Sequence, residues 1–555
     1  MNFRRCLLFP VLAFAAGAWL RGADAAPDNP AARVIILANR EDPDSVAIAH
    51  HYAARRGVPA ANIFLLSLST AETISRSEFN ATLYQPLQDA LVRADWIQGF
   101  VFPPTGDPPR PPARKYAMLG HRIAYLVVCR GVPLRVDSDP TLPVDSRQAR
   151  ANAIFGTNAA AVDSELALLA QSGYPLTGYV PNPLFHNDHP IAATEQLVVK
   201  VGRLDGPTAA DAAGLVDLAL AAEATGLVGR SYVDLGGPYP IGDQWLEATI
   251  KELADLGFDG EVDRKPNTMP PDARCDASVL YFGWYSFGVD GPFARPGFRF
   301  PPGAVALHIN SFSATTMRST TTWTPALVAR GATATLGNVY EPYLQLTHEP
   351  QLLLHALARG ETLGDAAAYS IPGYSWMGVL IGDPLYRPFK KSFDDQWRDR
   401  AQLPPEQLPY LLLRRMRLLA AAGKLNEALA EGQEAQRMAF SLPVALTLAD
   451  LMRTAGNTDG AKGALEPCVA ADYQVKEGDA PLLAVVARTF EALGATDRAL
   501  QAWQLLLTGR ILTGDLRPIW LPSAVAAAHA AKDVAQAARW EAEINDLKAA
   551  TKPKS

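Results

Sequence analysis

Cysteine is scarce in this chain: 555 residues hold only Cys6, Cys129, Cys275 and Cys468, with no CxxC pair among them. An N-terminal leader would remove Cys6, and the odd number left excludes a disulfide framework even in an oxidising compartment. Cys129 closes the apolar run Tyr125-Leu126-Val127-Val128, which suits a small core residue better than a nucleophile. There is no HExxH, no Cys/His quartet, no Walker loop and no GxGxxG, so no metal, nucleotide or other cofactor is expected. His186-Asn187-Asp188-His189 lies in a Pro-flanked stretch and reads as a solvated loop rather than a set of cation ligands. Runs of Lys and Arg are missing too, and a formal net charge of −6 excludes a general nucleic-acid role. Beyond the leader, no apolar run approaches the roughly 20 residues that a membrane helix needs.

What is present begins with a secretory pattern. Arg4-Arg5 give a charged start, Cys6–Leu20 an apolar run broken by Pro10, and Ala23-Asp24-Ala25 a small-residue cleavage site. Residues 1–25 therefore read as a signal peptide, with a retained anchor as the other reading, and the protein as exported, periplasmic or extracellular. The 48% apolar and 19% charged content is that of a globular protein, and the length calls for two or three domains.

Hydrophobic periodicity divides the rest. Val34–Ala38 and Ile63–Leu68 read as strands around a helix capped by Asp44 or Ser45 and stopped by Gly57, a crossover that implies a parallel sheet. Helices are expected over Glu78–Ala94, Ala209–Thr225 (closed by Gly226), Gln244–Leu256 and Trp323–Arg330, and strands over Ala124–Cys129, Ser231–Asp234 and Ala332–Leu336. A Pro-rich loop, Pro103–Pro112, precedes the Ala124–Cys129 strand. Residues 140–190, rich in Asn, Gly and Pro around a helix at Asp163–Ala170, read as an insertion or lid. The expectation is an α/β domain over residues 33–389, a mostly parallel sheet flanked by helices. From Pro409 the chain turns Ala/Leu-rich, and a phrase starting at Ala422 recurs at Ala455, Leu493 and Ala531. The spacings of 33, 38 and 38 lie near the 34-residue tetratricopeptide (TPR) period, so residues 405–548 are expected to be an all-α, TPR-like array.

The focal stretch is Val279–Arg318. Its apolar runs Val279–Phe282 and Ala304–Ile309 are short and end at polar corners, as buried strands do. They deliver Gly283-Trp284-Tyr285-Ser286 and Asn310-Ser311-Phe312-Ser313 to the carboxyl edge of the sheet, where open α/β folds bind ligands. If the strands are parallel, one rim gathers Asn39, Asp42, Asp44, Arg130, Asp234, Trp284, Tyr285, Asn310, Ser311, Asn338 and Glu341, enough for a polar ligand. Hydrolysis needs a nucleophile beside a base. Ser311 or Ser313 could be the nucleophile and His308 is the nearest imidazole, but strand alternation turns His308 and Ser311 to opposite faces. His308 therefore reads first as a core histidine.

The order of these blocks resembles the gingipain-type cysteine peptidases of the caspase-like clan. Gly283-Trp284-Tyr285-Ser286 looks like that family's Gly-His-Gly-Ser corner, and Val305–Ser311 like the strand leading to its nucleophile. Val201-Gly202-Arg203-Leu204 and Ile381-Gly382-Asp383-Pro384-Leu385-Tyr386-Arg387 are similar to its upstream and closing phrases. Asn39…Ser45, Val162-Asp163-Ser164-Glu165-Leu166, Arg203-Leu204-Asp205-Gly206-Pro207 and Gly337-Asn338-Val339-Tyr340-Glu341-Pro342 look like an uncharacterised family of exported bacterial proteins sharing this layout. The resemblance implies a caspase-like fold over about residues 33–389. Trp284 stands at the histidine position and Ser311 (or Ser313) at the cysteine position, and an indole cannot accept a proton, so the dyad does not carry over.

Three functions follow as expectations. The first is a caspase-like module that is not a cysteine peptidase and binds a ligand or protein at the old catalytic rim. The second is a peptidase or esterase using Ser311 or Ser313 with His308 or Asp234 as an unusual base. The third is an envelope scaffold whose helical array binds a protein partner.

Overall fold

The computed structural model describes residues 29–101, 116–144, 146–470, 473–508 and 516–550. The residues expected to form a signal peptide, 1–25, and the expected Pro103–Pro112 loop lie outside them. Ten strands form one sheet: β1 (Val34–Asn39), β2 (Ile63–Leu66), β3 (Tyr125–Cys129), β4 (Val201–Leu204), β5 (Arg230–Asp234), β6 (Gly260–Asp263), β7 (Ser278–Gly283), β8 (Val305–His308), β9 (Ala334–Asn338) and β10 (Gly378–Gly382). The spatial order is β6-β5-β7-β8-β9-β10-β4-β3-β1-β2. Every residue of β1, β3, β5 and β7–β10 is buried, as strands covered by helices on both faces require. That is why β1, β3, β7 and β8 run largely apolar without alternation. Helices α1 (Pro43–Arg56) and α2 (Ala209–Thr225) cover one face of the β1–β3 half. In the other half, α3 (Pro240–Asp255), α4 (Pro350–Ala358) and α5 (Leu363–Ser370) pack on β7 and β8.

The two halves meet at β10. It is antiparallel to β9 over five pairs, from Ala334 beside Gly382 to Asn338 beside Gly378. It touches β4 at one pair, Arg203 beside Ile381, bridged there in the parallel form. One bridge does not set the course of a strand, and the flanks of β10 do. Gly364 N–H donates to Pro384 O, just past the end of β10, while the adjoining Asp365 ion-pairs at 2.5 Å with Lys200, just before β4. So β10 ends where β4 begins. The carboxyl ends of both halves open on one rim, because Arg318 beyond β8 holds Asp205 beyond β4 at 2.6 Å.

Two expectations need correcting. The cap of α1 is Asp42, whose carboxylate accepts Asp44 N–H at 3.0 Å, because Pro43 occupies the first turn, where a missing N–H costs nothing. Ser45 instead accepts Asn39 N–H at 2.9 Å. Residues 140–190 are tied into the body rather than laid over it. Ala160–Ala161 joins a small sheet with Arg135–Val136, and Val180–Pro181 pairs with Gly373–Tyr374. Asp163, fully engaged with buried Arg203 at 2.6 and 2.9 Å, fixes the middle of the segment. Arg203 spends its remaining donors on Val132 O, Pro133 O and Asp205, so the charge inside β4 is completely paired.

Beyond β10 the chain forms a helical array of four hairpins: α6 (Leu408–Ala421) with α7 (Leu425–Met438), α8 (Leu442–Thr454) with α9 (Thr458–Leu465), α10 (Ala480–Ala492) with α11 (Thr496–Thr508), and α12 (Arg517–Ala530) with α13 (Val534–Ala550). The recurring phrase is the turn of each hairpin. Gly423, Gly456, Gly494 and Lys532 stand at equivalent places with φ of 75°, 77°, 71° and 62°, the left-handed corner that stops one helix before the next. Ala428, Ala461, Ala499 and Ala537 five residues on are wholly buried, where a larger side chain would hold the helices apart. The array is docked on the β5–β6 edge. Arg417 reaches Asp259 at 2.6 Å, Trp520 Nε1 donates to Asp272 at 2.9 Å, and Arg488 pairs with the same carboxylate. Burial alone would raise the Asp259 carboxyl, but the Arg230 and Arg417 guanidiniums win and hold it at about 2.

Candidate functional site

The corner after β7 is built from its own side chains. Trp284 is only 3% exposed and donates its indole N–H to Asp243 at 2.8 Å. A Cβ on Gly237 or Gly242 would stand 2.2 or 2.4 Å from the indole, so a glycine of the β5–α3 turn and one in the first turn of α3 leave the space the ring occupies. Trp284 thus lies under the rim rather than on it. Tyr285 is half-buried against it, and Phe287, 66% exposed, continues outward with ring centroids 5.7 Å from Tyr285. The Ser286 hydroxyl donates to Gly288 O or Asp290, and its carbonyl accepts Trp323 Nε1–H at 2.8 Å.

His308 ends β8 and is sealed. Its Nε2 accepts Ser286 N–H at 3.1 Å, so the ring proton sits on Nδ1 and is donated to the Tyr281 oxygen at 2.8 Å. Trp323 stacks on the ring at 3.6 Å between centroids. Burial pushes the imidazole down to about 3, and it stays neutral at any ordinary pH. Asp234, one strand beyond β7, is also buried. Its Oδ2 accepts Met269 N–H at 3.1 Å and its Oδ1 has no protein partner. Burial, with Asp263 and Asp290 nearby, drives its carboxyl up to about 7. Neither group faces a hydroxyl of the β8 corner. Among the described residues, one other imidazole meets a hydroxyl, His348 with Ser370 at 3.1 Å, but both are buried and the hydroxyl is within reach of Ala367 O at 3.2 Å, as a helix back-bond.

The corner after β8 is different in kind. Asn310 is 2% exposed, yet neither its amide nitrogen nor its amide oxygen has a partner in the protein. Ser311 Oγ donates to Glu341 Oε1 at 2.9 Å, and the same oxygen accepts Tyr343 N–H at 2.9 Å. Phe312 takes φ of 59°, a left-handed conformation costly for a bulky residue, and leaves its ring 41% exposed. Ser313 is buried, and its hydroxyl accepts Asn338 N–H at 3.1 Å. Asn338 in turn bonds Thr347 at 3.0 Å and lies within 3.4 Å of Asn310 O.

The expected rim is thus one edge but not one site. Arg130 and Asp44 follow β3 and β1, four and five strands from β8, which at the spacing of neighbouring strands is about 19 and 24 Å. They face each other, Arg130 lying 3.6 Å from Asp44 and 3.9 Å from Asp42. Asn39 spends its side chain on Leu68, Ser69, Gly131 and Glu41. Asn310, Ser311, Asn338 and Glu341 do converge. Among the residues not foreseen are Asp243 and the network Asp163–Arg203–Asp205–Arg318 that ties the rim's halves. An arginine flanked by apolar residues in Val201-Gly202-Arg203-Leu204 was the visible signal of a buried pair. Compared with known proteins, the chain matches no family model, no curated protein and no solved structure.

Proposed function

We propose that this is an exported protein whose caspase-like α/β scaffold lacks a cysteine-peptidase dyad and recognises a polar ligand or protein segment at the corner after β8. A TPR-like array docked beside it leaves its outer helices for a protein partner. The observation that carries the reading is Asn310: a buried amide with both ends unpartnered is expensive to keep, and such groups persist where a ligand or ordered water completes them. It adjoins the Ser311–Glu341 pair and the strained, exposed Phe312, and backbone strain clusters at functional corners.

One distance favours a second reading, hydrolysis with Ser311 as nucleophile and Glu341 as base. A carboxylate is a weaker acceptor for a serine proton than an imidazole, and His308, the imidazole this scaffold offers beside the rim, is locked away. The full-length protein, incubated with broad peptide and ester libraries and with a fluorophosphonate probe, is expected to show neither turnover nor labelling. Turnover or labelling that disappears in Ser311→Ala would overturn the binding reading in favour of a hydrolase.

A further inference from the structure

A second surface lies on the opposite edge of the sheet. There a cavity of about 400 Å³ is lined by Arg33, Arg122, Lys200 and Arg387 against Glu195 and Asp365. Four cations to two anions is the reverse of the whole chain, which carries 51 basic and 57 acidic residues. Lys200 is engaged with Asp365 at 2.5 Å, and Arg122 lies on the Trp96 ring at 4.1 Å with its donors on Asp95 O and Ala94 O. Arg387, just past β10, is exposed at the mouth. Around the mouth stand large apolar side chains in water: Leu119 (66% exposed), Ile191 (68%) and Leu197 (45%). They belong to the same wall. Ile191 and Leu197 bracket the lining residues Ala192 and Gln196, and Leu119 precedes Gly120, where a Cβ would meet the Gln196 side chain at 2.7 Å. Pro30 also lines the cavity.

Cations in the cavity and apolar side chains at its lip are the elements of an interfacial membrane contact. From this juxtaposition we infer that the face around Arg122, Lys200 and Arg387 docks on an anionic phospholipid surface, the cavity taking a headgroup phosphate and Leu119, Ile191 and Leu197 entering the interface. Docking here leaves the β8 corner, on the other edge, open to solvent.

The test is sedimentation of the full-length protein with sucrose-loaded vesicles, of phosphatidylglycerol and phosphatidylcholine in equal parts or of phosphatidylcholine alone. Binding is expected to the mixed vesicles, and to fall with added salt. Removing two basic residues in R122Q/R387Q should weaken it about thirtyfold. L119S/L197S, which spares every charge, should weaken it about tenfold. All four positions are exposed, and the second pair keeps the question open should the first fold poorly. Equal binding to both vesicle types, unmoved by either double variant, would assign the contact to the leader and overturn the inference. So would a thermal shift with inorganic phosphate and no vesicle binding, which would mark a free-anion site.

Discussion

Two neighbouring corners on one rim, after β7 and after β8, were folded by similar sequence logic and came out opposite. At the first, the Trp284 indole, the Ser286 amide, hydroxyl and carbonyl, and both nitrogens of His308 have partners inside the protein. At the second, one strand over, Asn310 has none for its side chain and Phe312 sits in a conformation its side chain disfavours. Polar groups that satisfy one another hold a fold, and groups left wanting are held by it for something else. The aromatic corner, the more conspicuous in sequence, is therefore the structural one. The plainer Asn-Ser-Phe-Ser corner is where recognition is proposed.

The comparison breaks most easily at Trp284. If the first corner is structural, Trp284→Ala should lower the unfolding free energy by about 3–5 kcal/mol, the cost of emptying a buried tryptophan site, with the Asp243 bond lost in addition. Denaturant unfolding measures this, and a loss below about 1 kcal/mol would return Trp284 to the surface as a binding group.

A second effect sits beneath the same corner. The Asp234 carboxyl, raised to about 7, binds its proton more tightly folded than unfolded. Its stabilising contribution is complete below the unfolded value near pH 4 and is lost as pH rises to about 7, a decline of up to about 4 kcal/mol. His308, lowered to about 3, acts with the other sign, costing stability as pH falls below about 6.5. Asp234→Asn removes the first contribution alone. The change in unfolding free energy on going from pH 4.5 to 7.5 should be more positive in the variant than in the parent, by about 3 kcal/mol, and the variant should be the more stable at pH 7.5. Parallel pH dependences would mean that Asp234 ionises freely and is no part of the buried floor.

How far sequence could see these corners depended on the kind of interaction. Helix α2 was legible residue by residue, because Thr208 caps it, with Asp211 returning the bond, and Gly226 closes it. The recurring phrase of the array was legible because a left-handed turn and a buried alanine impose local residue choices. β7 and β8 stood out as short apolar runs ending at polar corners. Distance across the sheet was not legible. Nothing local in Arg130 or Asp44 records that β4, β10 and β9 intervene before β8, and the antiparallel entry of β10 depends on pairing with a strand some forty residues upstream. Nor does Trp284 announce its direction, which is set by space left at Gly237 and Gly242 some forty residues earlier. The charged strand β6 and the ribbon Ile97–Val101 with Tyr116–His121 escaped notice because their mixed faces lack the apolar run or clean alternation that marks a strand.

The smallest expected effect is the most discriminating, because its sign differs between the readings. Asn310→Leu replaces a buried amide with neither partner by an apolar side chain of similar size. If the amide is retained for a ligand, the unliganded protein pays a desolvation penalty that the leucine removes, and stability should rise by about 1–2 kcal/mol. A gain at a site whose loss abolishes recognition is the usual signature of a functional residue kept against stability. If the amide serves the fold instead, through water bridges to the β8 and β9 ends, leucine strands those waters and stability falls by a similar amount. Unfolding free energies of the parent and variant, measured without ligand, give the sign. A fall would erase the contrast between the corners, leaving the rim without a group that needs anything from outside the protein.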